Sequence, residues 1–566
     1  MAGLMAWLAC ALPLQALVTP IDLRCEYGRN PQGIDVPRPR LFWKLSSPDS
    51  NQRQSAYQIL VASSPALLEQ DTGDLWDSGK VDSGASIHIE YGGPALSSSQ
   101  QVFWKVRAWD AAGAASPWSA SARWTMGLLA PEDWKARWIC APGATEALLL
   151  RKEFVVRTNL ARAVVHVSGL GQYEMFLNGA RVGEDLLAPG WTDYDVTILY
   201  DTHEVTRQLR PGLNVVGLAL GNGMYHVVRR HRFAKFTGSF GPLRAIVQLR
   251  LEYADGSVEA VGTDESWRVH PGPVTYNSIY GGEDYDARLN PVGWASPGFS
   301  DADWKPAVAV VRPSGTLRGY TAGVEPMRAI ETRAPVAVRQ LPGAAVAVYD
   351  LGQNASYMPR IRLSGPRGSR VTLVPAEVVN PDGSIQRSTM GSTNRGISWW
   401  EFTKATDEPE SWFPQFYYVG CRYLEARFTP PHPGAALPRL EGLEGVIVHS
   451  AAAPAGEFSC SNPLLNRIRD LVRWAQRANM VSVLTDCPHR EKLGWLEQYH
   501  LNGPAIRYEF ELARLFTKGM NDMAEAQLED GLVPNIAPEY TEFKGPFRAA
   551  AEWGAAFILV PWQQYL

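Results

Sequence analysis

The hydrophobic period of the chain changes once, near residue 450, and this change constrains the fold more than any other feature. Before it, apolar and polar residues alternate in short runs such as QVFWKVRAWD and AIVQLRLEY, which are typical of half-buried β-strands. After it, Asn462 and Pro463 suit the start of a helix. Apolar residues then recur at helical spacing, at Leu464, Ile468, Leu471, Val472 and Ala475. The pattern predicts several β-domains followed by an all-α domain.

Length and composition indicate a globular protein of several domains. The 566 residues exceed what one hydrophobic core normally organises. Hydrophobic residues make up 45% of the chain and the formal net charge is only −4, so neither nucleic acid nor a membrane surface is an expected partner. No run approaches the roughly 20 apolar residues of a membrane span. The six cysteines lack metal-ligand spacing, and we predict no metal and no cofactor.

The N-terminal segment, residues 1–18, contains an apolar run with small residues near its end, as in a secretory signal peptide. This pattern predicts a periplasmic or secreted protein, although the positive charge that usually opens such a peptide is absent. A mis-assigned start codon and an apolar first strand are the alternatives.

Turn-forming residues divide the alternating part into three regions. Residues 20–128, with WKVRAWD followed by SPWS, resemble a fibronectin type III β-sandwich. Residues 129–325 resemble a jelly-roll β-sandwich, in which Asn178 and Gly179 predict a tight hairpin turn. Residues 326–449 continue as a third β-sandwich, and residues 450–566 form the helical part. The predicted fold class is therefore multidomain, with mainly antiparallel β-sandwiches ahead of an all-α region.

The helical part ends at Leu566, inside an apolar, Trp-rich run. A helix that is apolar around much of its circumference is expected to be buried against neighbours, and few neighbours remain. We therefore expect the sequence to be a fragment whose helical domain is cut short, and inactive or poorly folded by itself. The alternative is a small helical bundle that ends there.

The densest polar chemistry lies where the period changes, in the stretch TDCPHREKLGWLEQYH at residues 485–500. Asp486 and Glu491 could form a carboxylate pair in which burial holds one group protonated, as a general acid requires. Trp495, four residues after Glu491, would share its face if both were helical. The alternative is a solvated helix cap in which Arg490 and Glu491 are ordinary surface charges.

The segment DCPHREKLGW, Asp486 to Trp495, resembles the signature of bacterial α-L-rhamnosidases of glycoside hydrolase family 78. The resemblance extends through LNGARVG, DLGQN, AEVVNPDG and GCRYLE in the β-regions. It implies that residues 450–566 begin an (α/α)₆ toroid, the catalytic domain, which hydrolyses terminal α-L-rhamnosides with inversion. In such a reaction one carboxylic acid protonates the leaving oxygen while a second carboxylate activates water.

The resemblance also assigns roles to residues. Glu491 matches the general acid, and the general base is a glutamate downstream of residue 566. The sugar-contacting residues would be Asp486, Arg490, Trp495, Glu497, Gln498, Glu552 and Trp553. Two departures stand out: Gln498 replaces a common aspartate, and WGAA replaces WGDA at residues 553–556. Either Glu497 and Glu552 take over those contacts, or the sugar differs from simple rhamnose.

The predicted function is thus release of terminal α-L-rhamnose, with a rhamnose-containing oligo- or polysaccharide as the partner. A related glycosidase of other sugar specificity is an alternative, which Gln498 makes plausible. A non-catalytic carbohydrate-binding protein is another. The sequence does not determine the oligomeric state.

Overall fold

The structure is a computed structural model that describes residues 18–141, 143, 147–228, 230–343, 345–391 and 396–565. Apart from Val18, the predicted signal peptide lies outside the described residues. By their internal contacts, the residues divide into two compact units, Met1–Asp133 and Trp134–Leu566. No helix in the described part of the chain is long and apolar enough to cross a membrane.

The first unit contains two sheets with aromatic residues between them. In spatial order, the three-stranded sheet consists of Thr19–Cys25, Arg40–Ser46 and Ile89–Glu90. The five-stranded sheet consists of Gln32–Ile34, Ala122–Met126, Gln101–Asp110, Gln54–Ala62 and Trp76–Asp77. Trp43 from the first sheet packs on Tyr57 from the second. A short helix, Pro65–Glu69, follows the strand Gln54–Ala62. The predicted antiparallel sandwich is confirmed, with one parallel pair at its edge.

The second unit begins with a pair of sheets that share one core. One sheet consists, in spatial order, of Ala180–Arg181, Gln172–Leu177, Gly212–Gly221, Leu148–Val156, Arg268–Pro271 and Lys305–Pro306. The other consists of Asp201–Glu204, Leu160–Leu170, Arg244–Tyr253, Ile139–Cys140 and Val308–Ala309, with Val258–Gly262 also paired to Arg244–Tyr253. Leu150, Val165 and Val247 fill the space between the sheets. Asn178 and Gly179 both have positive φ in the hairpin turn, as predicted.

A ten-stranded sheet follows, and its central strand is Val346–Ser364. Eight of its strands lie side by side, in spatial order Val274–Ser278, Gly282–Asp286, Trp399–Thr403, Arg370–Ala376, Val419–Thr429, Val346–Ser364, Arg439–Ser450 and Met327–Arg333. The other two, Ala337–Gln340 and Glu410–Trp412, also pair with the central strand. Trp400, Phe402 and Tyr417 lie in its core. The two strands before residue 287 therefore belong to a sheet whose other strands come after residue 326.

Short strand pairs complete the β-structure: Thr197–Leu199 with Thr316–Arg318, His226–Val227 with Gly238–Ser239, Val378–Val379 with Ile385–Gln386, and Met480–Val481 with Val483–Leu484.

Helices dominate the chain after residue 462. Their bounds are Pro463–Ala478, Glu497–His500, Gly503–Glu509, Ala513–Glu525, Ala551–Gly554 and Ala556–Tyr565. As predicted, Pro463 opens the first helix, and the Asn462 side chain accepts a hydrogen bond from the amide of Leu464 at 3.0 Å. The predicted fold class is confirmed, while the predicted domain limits stay predictions.

Candidate functional site

The motif DCPHREKLGW forms a closed turn between the hairpin at residues 480–484 and the helix Glu497–His500. The amide of Asp486 donates to the carbonyl of Leu493 at 3.2 Å, and the amide of Leu493 donates to Asp486 Oδ1 at 3.4 Å. Lys492 adopts a φ of 55°, in the left-handed region that a lysine rarely occupies. The turn therefore has a fixed and unusual backbone path.

Lys492 anchors this turn to two segments of the region that carries the ten-stranded sheet. Its buried ammonium donates to the carbonyls of Ile279 and Tyr418, each at 2.6 Å. The ring of Tyr418 lies 4.1 Å below the ammonium. Burial lowers the pKa of Lys492 well below its usual value. A buried polar group is stable only when its hydrogen bonds are made, so Lys492 holds the three segments together.

Two glycines allow the turn to pack closely. A side chain at Gly420 would begin only 2.4 Å from Pro488 Cγ, and the Gly420 amide donates to the Pro488 carbonyl at 3.0 Å. A side chain at Gly494 would begin 2.3 Å from the carbonyl oxygen of Ala537, which is too close for any Cβ atom. The motif therefore lies directly against GCRYLE on one side and against residues 535–537 on the other.

The carboxylate of Glu491 has a separate donor for each oxygen. Lys235 Nζ lies 2.9 Å from Oε1, and the Trp495 indole donates to Oε2 at 3.2 Å. The backbone of Glu491 is also held, because the Tyr280 hydroxyl donates to its carbonyl at 2.7 Å. The predicted contact between Glu491 and Trp495 exists, but a turn rather than a shared helical face produces it.

Asp486 lies partly buried beside Glu491 and titrates unusually. Burial, and to a smaller extent the charge of Glu491, raises the pKa of Asp486 to about 6, against hydrogen bonds from Cys487 and Leu493 that lower it. The motif therefore contains two interacting carboxyl groups with different surroundings, which is the arrangement expected of acid–base chemistry.

Trp495 lies in a cluster of aromatic rings. Phe543 stacks on it at a ring separation of 5.3 Å, and Phe547 and Trp553 lie at 5.9 Å and 6.0 Å. Phe236, from the jelly-roll region, reaches Phe543 at 6.2 Å. Flat apolar surfaces of this kind suit the apolar faces of sugar rings as well as protein cores.

The other predicted site residues divide into two groups. Glu497 is partly buried next to Trp553, and burial raises the pKa of Glu497. Gln498 is partly exposed in the same short helix. Arg490 and Glu552 are exposed, and neither makes a side-chain hydrogen bond or ion pair within the described ranges. The structure thus brings together Asp486, Glu491, Trp495, Glu497 and Trp553.

Sequence reasoning did not identify Lys235, Tyr280, Phe543 or Phe547 as parts of the site. All four come from segments without a recognisable motif, and only the three-dimensional fold brings them to residue 491 or 495. His489 connects the motif to the segments DLGQN and AEVVNPDG, since its Nε2 lies 3.7 Å from Glu377, which accepts a hydrogen bond from Asn354. In the part of the chain that the structure describes, no three His, Cys, Asp or Glu residues group as metal ligands would.

Comparison with known families gives a match to each successive region. The Rha78A-like N-terminal immunoglobulin domain matches residues 20–130, the α-L-rhamnosidase N-terminal domain 158–331, the bacterial α-L-rhamnosidase concanavalin-like domain 341–449, and the bacterial α-L-rhamnosidase six-hairpin glycosidase domain 453–566.

Similar proteins give the same result. An α-L-rhamnosidase of Alteromonas sp. is 31% identical, over 97% of this chain and 60% of that protein. The structure of α-L-rhamnosidase from Dictyoglumus thermophilum has a TM-score of 0.87 at 34% identity, covering 96% of this chain and 61% of that one. Streptomyces avermitilis α-L-rhamnosidase complexed with L-rhamnose has a TM-score of 0.88 at 28% identity, covering 96% and 68%. The chain thus spans 60% to 68% of the length of these proteins. It belongs to the bacterial α-L-rhamnosidases of glycoside hydrolase family 78.

Proposed function

We propose that the protein is a glycoside hydrolase that releases terminal α-L-rhamnose from polysaccharides or glycosides. The observation that carries this proposal is the carboxylate of Glu491, which lies within the family motif with the Lys235 ammonium on one oxygen and the Trp495 indole on the other. Family membership supports the substrate class, since the relatives named above are α-L-rhamnosidases.

In the proposed mechanism, Glu491 acts as the general acid. Its protonated carboxyl group gives a proton to the glycosidic oxygen, the bond between that oxygen and the anomeric carbon breaks, and Glu491 is left as a carboxylate. A second carboxylate removes a proton from the water that attacks the opposite face of the sugar, with inversion. The family resemblance assigns this base to a glutamate downstream of residue 566.

The remaining site residues would bind the sugar. Trp495 offers a flat apolar surface, and Asp486 offers a carboxyl group beside the acid. Arg490 is exposed and has five N–H donors, which suit hydroxyl oxygens. Glu497, Gln498, Glu552 and Trp553 complete the proposed set of sugar contacts.

The test is an assay of the protein expressed from its complete reading frame. We expect release of nitrophenol from p-nitrophenyl α-L-rhamnopyranoside and not from a panel of other p-nitrophenyl glycosides. Silence across the panel from a folded protein would contradict the proposal. Release from a different glycoside would favour the second candidate, a related glycosidase of other sugar specificity, for which the amide at Gln498 is the specific observation.

Glu491→Gln tests the role of the acid. The glutamine keeps the shape of the side chain but carries no transferable acidic proton, so the rate with an unactivated rhamnoside should fall by roughly 10²–10⁴. A substrate with a good leaving group should lose less, because its oxygen departs without protonation. Equal losses on both substrates would contradict the assignment.

We also propose export from the cytoplasm, on the basis of the apolar N-terminal run. Expression of the complete gene should give a protein in the periplasm or medium that lacks its first residues, as N-terminal sequencing would detect. A cytoplasmic protein that retains these residues would contradict this.

A further inference from the structure

Lys235 approaches the candidate acid from a different domain. It lies between the strands His226–Val227 and Gly238–Ser239, in the jelly-roll region, whereas Glu491 lies at the start of the helical region. Its ammonium lies 2.9 Å from one carboxylate oxygen, while the indole of Trp495 binds the other. A carboxylate with a separate donor on each oxygen has one preferred orientation.

The segment that carries Lys235 is itself held against the site. Phe236 contacts the ring of Phe543, which stacks on Trp495. On the other side, the Phe233 ring lies 6.5 Å from the ring of Tyr280, whose hydroxyl binds the backbone next to the acid. Lys235 therefore lies between two contacts that fix its backbone relative to the motif.

The pair is partly shielded from water, since the side chains of Lys235 and Glu491 are 30% and 19% exposed. Solvent screens such a pair less than one on the open surface. Other titratable groups near Glu491 are Asp486, Cys487 and Arg490 in its own turn, and Tyr280 in the turn between the strands Val274–Ser278 and Gly282–Asp286. Lys235 is in direct contact with the carboxylate, with its ammonium 2.9 Å from one oxygen.

We propose that Lys235 is a positioning residue that acts through Glu491, holding the carboxyl group in its orientation and stabilising the negative charge that appears when the proton leaves. This rests on the proposed function. As Glu491 gives its proton to the glycosidic oxygen, its own oxygen gains charge 2.9 Å from the ammonium. An interaction that strengthens as the reaction proceeds lowers the barrier.

The experiment compares variants of the protein expressed from its complete reading frame. With an unactivated rhamnoside, Lys235→Met should lower kcat by on the order of tenfold, less than the 10²–10³ of a fully enclosed donor because the pair is partly exposed. Lys235→Arg should restore most of the rate. Lys305→Met, which removes an exposed charge at residue 305, is the matched control and should leave kcat unchanged.

Dependence on Glu491 is the decisive result. In a Glu491→Gln background, Lys235→Met should cause no further loss of kcat. The same tenfold loss in both backgrounds would overturn the proposal.

A measurement without substrate keeps this inference separate from the proposed function. Thermal unfolding of the protein expressed from its complete reading frame should show that Lys235→Met and Glu491→Gln shift Tm non-additively, as two partners of one ion pair do. Additive shifts would overturn the pair itself. If the wild-type protein hydrolysed no rhamnoside, the proposed function would fail while the Tm cycle still tested the pair.

Discussion

Asp486 couples the protonation of the site to the stability of the fold. Its pKa rises from 3.8 to about 6, mainly through burial and secondarily through the charge of Glu491. Because the folded value lies above the unfolded one, the folded chain holds this proton more tightly. The resulting stabilisation is fully present below about pH 4 and is lost as pH rises through about 6.

Asp486→Asn should remove this pH dependence, because an amide does not ionise. We expect the variant to be more stable than the wild type at about pH 7.5, by up to about 3 kcal/mol for a shift of about two pKa units, and similar at about pH 4. Urea unfolding at the two pH values measures the difference. Other buried acids contribute equally to the pH dependence of both proteins, so their contributions cancel in the difference between the two free energies of unfolding. A stability difference that is the same at both pH values would contradict the assignment.

The site residues differ in how far the sequence could reveal them. Glu491 and Trp495 lie within one short motif, so their proximity could be predicted although the helical geometry was wrong. The left-handed backbone of Lys492 replaces that helix, and no local pattern indicates a positive φ at lysine. Lys235 could not be predicted, because its proximity depends on the packing of two domains.

At the scale of elements, the turn at residues 486–496 depends on close backbone contact with residues 535–537. The amide of Ala537 donates to the carbonyl of Gly494 at 3.0 Å, and the amide of Leu496 donates to the carbonyl of Asn535 at 3.0 Å. Gly494 has no side chain to separate these segments. Phe543 and Phe547, which belong to the aromatic cluster around Trp495, come only a few residues after this second segment in the sequence.

Gly494→Ala should therefore damage the site and the fold together. Its methyl group would overlap the Ala537 carbonyl, and relief of this overlap should cost about 1–3 kcal/mol of the free energy of unfolding. Gly442→Ala is the matched control, because a Cβ atom there meets only Arg362 Cβ at 3.9 Å. Chemical denaturation of the two variants gives the comparison. Equal stability of the two alanine variants would contradict the steric argument.

The helix Pro463–Ala478 has an apolar stripe that faces water. Its exposed members are Leu464, Leu465, Ile468, Leu471 and Val472, each at least 45% exposed. Contiguous apolar patches on a surface favour association or coverage by another element.

We expect the 566-residue chain to self-associate through this stripe at high concentration. Ile468→Lys should shift the chain toward monomer, because a charge interrupts the apolar surface. Asp470→Lys, on an exposed polar position of the same helix, serves as the control and should not. Light scattering across a concentration series measures the mass. A concentration-independent monomer in the wild type would contradict this expectation.

Local signals predicted element boundaries well where they act within a few residues. The Asn462 cap, Pro463 and the Asn178–Gly179 turn were all predicted, because their effect comes from their own backbone and side chains. Sheet membership is different. The strands Val274–Ser278 and Gly282–Asp286 lie in sequence among the jelly-roll strands, yet they join the ten-stranded sheet, because position in the sequence does not identify the partner of a strand.

At the scale of the whole molecule, the first compact unit should be an independent folding unit. Residues 18–133 contain two sheets around the buried Trp43, Trp104 and Trp124. By its internal contacts, Met1–Asp133 forms one compact unit. Expressed alone, this segment should unfold cooperatively and give a near-ultraviolet circular dichroism signal from the fixed indoles. Trp43→Ala should lose about 3–5 kcal/mol, enough to unfold a small domain. A featureless near-ultraviolet spectrum from the isolated segment would contradict independent folding.

The ten-stranded sheet pairs segments that are far apart in sequence. Gly282–Asp286 lies parallel to Trp399–Thr403, and Met327–Arg333 lies antiparallel to Arg439–Ser450. On the ribosome, the earlier strand of each pair emerges long before its partner has been translated. At typical elongation rates this delay is on the order of 10 s, during which a nascent β-strand has an unpaired backbone. Codon usage between residues 287 and 398, and access of chaperones to the emerging chain, should therefore affect the yield of folded protein more than changes elsewhere in the gene.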